Sequence, residues 1–199
     1  MTNVVVFLGH PDAASLNGAI AGAYADGARQ AGANVREINL GELGFDPVLW
    51  HGYTEAQALE PDLMVAQEAI RWADVLVFAY PIWWGTTPAL LKGFVDRVFL
   101  PGFAFKYREN SRFWDKLLAG RSARLLVTMD TPGWYYRWVV RQPGHQMMSR
   151  AILGFSGVKP VRISRFGAVR GSTAAARGTW LEKARALGGR DSRTRSGNN

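Results

Sequence analysis

Five short runs of apolar, mostly β-branched or leucine-rich residues alternate with stretches whose apolar positions follow a helical period. That alternation constrains the fold more than any other feature of the chain. Val4 to Leu8 (VVVFL) is apolar throughout and is ended by Gly9, His10 and Pro11, the pattern of a strand covered on both faces. Leu16 to Ala31 follows with Leu16, Ile20, Ala23, Tyr24 and Ala28 on one stripe and Gly32 as a stop, which predicts a helix. The same reading predicts strands over Val35–Leu40, Val75–Ala79, Arg124–Thr128 and Val161–Phe166. Helices are predicted over Leu63–Ala73, Pro88–Phe99, His145–Phe155 and Thr173–Leu187. Strands that alternate with helices are joined by right-handed crossovers, so the prediction is an α/β fold: a doubly wound, five-stranded parallel sheet with helices on both faces.

At 199 residues and 48% hydrophobic composition the chain has the size and the apolar content of one domain, expected over residues 1–188. The last stretch, ending RDSRTRSGNN, has no apolar anchor, so residues 189–199 are expected to form a basic, disordered tail. The stretch from Lys183 onward, with Arg185, Arg190, Arg193 and Arg195, holds much of the basic excess behind the formal charge of +8, and no zinc-finger or RNP-type signature accompanies it; no nucleic-acid partner is expected. No apolar run is long enough to span a bilayer and no leader pattern opens the chain, which predicts a cytoplasmic protein without membrane insertion. With no cysteine and three histidines, thiol chemistry and cysteine-ligated metals are excluded and no metal site is expected. Any redox chemistry would need a bound organic cofactor.

Ligands of open α/β sheets bind beyond the carboxyl ends of the strands, where three loops fall: His10 to Asn17, Tyr80 to Thr87 and Met129 to Tyr136. The first, HPDAASLN, offers the Ser15 hydroxyl, the Asn17 amide and free N–H groups at a helix start. It reads either as an anion site or as a plain helix cap by Ser15. It lacks GxGxxG and GxxxxGK[ST], which removes support for Rossmann-type dinucleotide binding and P-loop chemistry. The second loop places Trp83 and Trp84 straight after a buried strand, where chains ordinarily turn polar. A flat ring system stacked there is one reason; core or interface packing is the other.

AYPIWWGTTPALLKGFVDRVFLPGFAFKY, from Ala79 to Tyr107, together with GHPDAASLN resembles the flavodoxin-like NAD(P)H:quinone oxidoreductases, the family of DT-diaphorase and its bacterial relatives. The resemblance runs from about Val4 to Leu187. It implies a flavin, FAD in preference to FMN, with His10, Ser15, Leu16 and Asn17 near the phosphates and Pro81, Ile82, Trp83, Trp84 and Gly85 along the isoalloxazine. The third loop, TMDTPGWYY, departs from the family where two glycines usually stand opposite Asp130 and Thr131. Asp130, Thr131 and Gly133 are the candidates there for the pyrimidine edge. The register carries the family's active-site tyrosine onto Tyr136; its histidine has no match at the same spacing, and His145, a few residues further on, is the candidate.

What the resemblance implies for function is a two-step, ping-pong exchange: NAD(P)H gives hydride to the flavin and leaves, and a quinone or similar small acceptor takes two electrons. It also implies a homodimer with the site at the subunit interface. The alternative is a flavin-binding protein without turnover of its own, an electron carrier or a regulatory subunit such as one ancillary to a potassium-efflux system.

Overall fold

The computed structural model describes residues 1–193. Seven strands and six α-helices run in the order β1 (Asn3–Leu8), α1 (Leu16–Gln30), β2 (Asn34–Asn39), α2 (Pro61–Trp72), β3 (Val75–Pro81), α3 (Ala89–Val98), β4 (Phe105–Tyr107), β5 (Trp114–Lys116), β6 (Ser122–Thr128), α4 (Gly133–Trp138), α5 (Pro143–Gln146), β7 (Val161–Phe166) and α6 (Ala174–Arg193). The main sheet has the order β2-β1-β3-β6-β7, parallel throughout. The five strands read from the sequence are these five.

Side chains alternate across a strand, and here the alternation feeds two cores. Val5 and Phe7 of β1 with Leu76, Phe78 and Tyr80 of β3 pack against α2 and α3. Val4, Val6 and Leu8 with Val75, Val77 and Ala79 pack against α1 and α6. Strands buried on both faces need apolar residues at every position, which is why these runs do not alternate with polar residues.

Three parts differ from the sequence reading. A small antiparallel hairpin, β4–β5, interrupts the α3–β6 crossover; its strands are three residues each, too short to leave a periodic signal. The predicted helix over His145–Phe155 is α5 running into a π-helical segment, Met147–Gly154, at whose start the Ser149 hydroxyl donates to the His145 carbonyl at 2.6 Å. The third correction concerns the tail. Residues 190–193 form the last turn of α6 with Asp191 and Ser192 buried, and the remainder of the expected disordered tail lies outside the described residues. The reason is a polar anchor in place of an apolar one: Arg124 of β6 forms a two-pronged bond to the Asp191 carboxylate at 2.8 and 2.6 Å, and the Tyr24 hydroxyl donates to the same group at 2.9 Å.

Candidate functional site

Between β1 and β3 the chain reverses its direction across the sheet, since β2 lies on one side of β1 and β3 on the other. Loops leaving such neighbouring strands diverge and open a crevice at the carboxyl edge. A cleft of about 220 Å3 lies there. The loop after β1 contributes His10, Ser15, Leu16 and Asn17, and the end of β3 contributes Pro81, Ile82 and Trp83. Thr128, Met129 and Asp130 close it from β6, and Val169 from the loop after β7. A larger hollow, about 690 Å3, lies between α1 and α6 and is lined by Arg185, Arg190 and Arg193 among others, with no residue of a strand in its lining.

Each residue of the first loop has a distinct task. The His10 ring stands edge-on to Trp83, with centroids 5.5 Å apart, and its Nδ1 accepts from the Asp12 N–H at 3.0 Å. Ser15 is the N-cap of α1: its hydroxyl accepts from the Gly18 N–H at 3.2 Å, and it retains a proton to donate. Asn17 is buried, and its amide is paired with the Thr128 hydroxyl at 3.0 and 3.2 Å. It braces α1 against β6. The first-turn N–H groups of Leu16 and Asn17 have no acceptor from the chain among the described residues, and no acidic residue stands in that turn. What the cleft offers an anion is therefore backbone N–H and the Ser15 hydroxyl, more than the Asn17 side chain.

Trp83 to Thr86 is a two-residue reversal closed by the bonds Trp83 N–H to Thr86 O and Thr86 N–H to Trp83 O, both 3.0 Å. Its central residues, Trp84 and Gly85, have φ of 49° and 79°, the left-handed pair of a type I′ turn, which glycine adopts freely and tryptophan does not. The Trp84 side chain projects wholly into solvent, and the half-exposed Trp83 forms the cleft wall. Trp134 and Trp138 on α4 are exposed as well.

Tyr136 and His145 come together, though not on the cleft lining. Their rings meet edge-on at 5.0 Å, both are buried, and the Tyr136 hydroxyl donates to the Gly85 carbonyl at 2.9 Å. Burial raises the Tyr136 phenol, opposed by the backbone N–H groups of Gly144 and His145. Burial, with the Arg165 guanidinium, lowers the His145 imidazole to about 4, so it is neutral at physiological pH. Trp84, Gly85, Thr131 and Gly133 are also absent from the lining, whereas Asp130 is present and its carboxylate accepts from the Arg170 N–H at 2.5 Å.

Residues 2–187 match the family described as the flavodoxin-like fold. The chain belongs to that family. It is 31% identical over 163 residues to a ribosyldihydronicotinamide dehydrogenase-like protein of Penicillium crustosum, a match covering 69% of this chain and 60% of the fungal protein. This chain thus spans about three fifths of that relative. The structure of the NAD(P)H:quinone oxidoreductase from Methanothermobacter marburgensis superposes with a TM-score of 0.79 at 26% identity, over 94% of this chain and 97% of that one. An FMN-dependent NADH-azoreductase from Bacillus anthracis, solved in complex with FMN, shares the fold at 18% identity with a TM-score of 0.71, over 96% of this chain and 100% of that one.

Three lining residues were not among the sequence candidates. Thr128 and Met129 sit at the end of a strand that the apolar run marks, so the carboxyl-edge rule reaches them. The same rule points to the loop after β7, which supplies Val169, but nothing in GAVRGS marks a ligand contact.

Proposed function

We propose that the protein is a flavin-dependent oxidoreductase that accepts hydride from NAD(P)H and passes two electrons to a quinone-like small acceptor by a ping-pong exchange. The observation that carries this reading is the pairing, in one cleft at the switch point, of an anion-receiving helix start with a flat aromatic wall. The residues present fit the group: the free N–H groups of Leu16 and Asn17 and the Ser15 hydroxyl suit a phosphate. Pro81, Ile82 and Trp83 suit the flat face of an isoalloxazine, with Met129 and Val169 as apolar cover. The flavin supplies the hydride chemistry itself. The chain's part is to hold its phosphate at the α1 start, to orient its ring along the end of β3 and to exclude water from the apolar side. The resemblances to quinone reductases support the acceptor class and the choice of NAD(P)H.

The preference for FAD over FMN rests on resemblance to the quinone reductases; the cleft does not distinguish them, and the Bacillus anthracis protein of the same fold holds FMN. A homodimer with the site at the interface is part of the proposal, supported by the exposed Trp84, Trp134 and Trp138 at this end of the molecule, a concentration of apolar surface that marks contact regions. A cytoplasmic location belongs to it too; no helix among the described residues is long and apolar enough to cross a membrane.

Titration of the purified protein with FAD and with FMN, read by flavin absorbance and fluorescence quenching, is the test. One flavin per chain, bleached by NADPH and restored by a quinone, is expected. A protein that stays colourless with both flavins at micromolar concentration overturns the reading.

A further inference from the structure

We propose that Tyr136 is a positioning residue, a latch that holds the Trp83–Thr86 turn and thereby sets how Trp83 and Trp84 are presented to a planar ligand. This rests on the flavin-cleft reading for its consequence and on geometry for its substance.

Two donors converge on one carbonyl. Gly85 O accepts from the Tyr136 hydroxyl at 2.9 Å and from the Gly144 N–H at 3.2 Å, two donors on different helices. A doubly accepted carbonyl at the apex of a two-residue turn fixes the turn's tilt, since its own closing bonds leave that tilt free. The chain takes an unusual course to bring both donors there. After α4 it passes through Arg141 and Gln142, with φ of 64° and 53°, two consecutive non-glycine residues in the left-handed region. Such residues are unfavourable and persist where surrounding structure enforces them. The double reversal turns Pro143–Gln146 back so that Gly144 faces the turn. Added at Gly144, a Cβ would stand 3.0 Å from Thr86 Cα and 3.1 Å from both Gly85 O and the Tyr136 hydroxyl, so only glycine leaves the latch undisturbed.

The surroundings keep the phenol in place. The ring of His145 backs Tyr136 edge-on, and neither imidazole nitrogen has a hydrogen-bond partner among the described residues, so the histidine acts as a neutral wedge. Trp84 is fully exposed at the turn that this latch holds, in a left-handed conformation that a free loop would relax. The Tyr136 proton is thus committed to the backbone of the aromatic turn, and removing it should loosen the wall while leaving the chemistry in place.

The test uses Tyr136→Phe and Gly144→Ala in protein labelled with 15N at tryptophan, the Trp83 and Trp84 indole signals being assigned by Trp→Phe substitution. Without any flavin, both variants should shift and broaden those two signals and leave those of the distant Trp114 and Trp180 in place. In flavin-loaded enzyme, the KM for a planar quinone should rise about 5- to 10-fold, the scale of one lost hydrogen bond, by more than kcat falls, with the pH–rate profile unchanged. Unmoved indole signals in both variants would overturn the latch whether or not a flavin binds. A large fall in kcat with KM unchanged and one limb of the pH profile lost would overturn it in favour of a proton donor. Failure to bind flavin would sink the function proposed above and leave the indole measurement standing.

Discussion

His145 is an ionisable group that the fold holds neutral. Burial, with Arg165 nearby, lowers its folded-state pKa from 6.5 to about 4, so between those values the unfolded chain binds a proton that the folded protein refuses. Stability is then full above about pH 6.5 and declines as the pH falls toward 4, with a slope that approaches about tenfold in the folding equilibrium per pH unit. Urea titrations across this range should show the decline, and His145→Gln, which cannot be protonated, should flatten it; an unchanged profile would place the acid sensitivity elsewhere. The sequence names this histidine without revealing its state. Spacing along the chain leaves His145 a few residues beyond the place where the resemblance expects a histidine, and no local pattern shows that its ring lies edge-on to Tyr136. Ser15 was legible in part: S-x-N before a helical stripe announces both a cap and an anion site, and only the Gly18 N–H on its hydroxyl identifies the cap. Nothing local in HPDAASLN could show that Asn17 is spent on Thr128, since the two are 111 positions apart.

The elements that were legible are those whose environment leaves a mark on every residue. The runs at Val4, Val75 and Arg124 read as strands because every position in them is buried and nearly all are apolar, whereas the β4–β5 hairpin and α4 leave no such mark. GWYYRW in α4 buries only Tyr136, so it carries no apolar stripe, and the sequence reads it as loop. Helix contact shows the same limit. α1 and α6 approach until an added Cβ at Gly27 would stand 1.9 Å from the Arg185 carbonyl oxygen, and one at Gly188 2.0 Å from that of Tyr24. A glycine within a helical stripe looks like a weakness in sequence, yet here it admits the neighbouring backbone. Gly27→Ala should therefore destabilise by about 1–3 kcal/mol through overpacking, despite the better helix propensity of alanine. Gly22→Ala on the same helix, which meets nothing within 4 Å, should be neutral or stabilising by up to about 1 kcal/mol. Denaturant midpoints that rank the two variants the other way would show that the helices have room to part.

At the scale of the whole molecule, the alternation of strands and helices was enough to give the doubly wound sheet, because parallel strands admit few topologies. Where the fold ends was not legible, because what anchors that end is a buried ion pair. Composition separates RDSRTRSGNN from the apolar helix before it, and no local rule connects Asp191 to Arg124, 67 positions earlier. The pair is almost fully buried, with side chains 6% and 5% exposed, and Arg124 also donates to the Ser164 hydroxyl at 3.2 Å. A chain ended at Gly188 would keep every apolar residue of α6 and lose this carboxylate together with the Ser192 carbonyl that accepts from Thr2 at 2.8 Å. If residues 189–193 were a dispensable tail, the shortened protein would unfold at the denaturant concentration of the full chain. The ion pair implies instead a loss of about 3–5 kcal/mol, the cost of leaving one member of a buried pair without its partner. Arg124→Met in the shortened chain separates the two accounts: replacing the stranded guanidinium with an apolar side chain of similar reach should restore part of the loss, and a further drop in stability would mean that Arg124 is held by something other than Asp191.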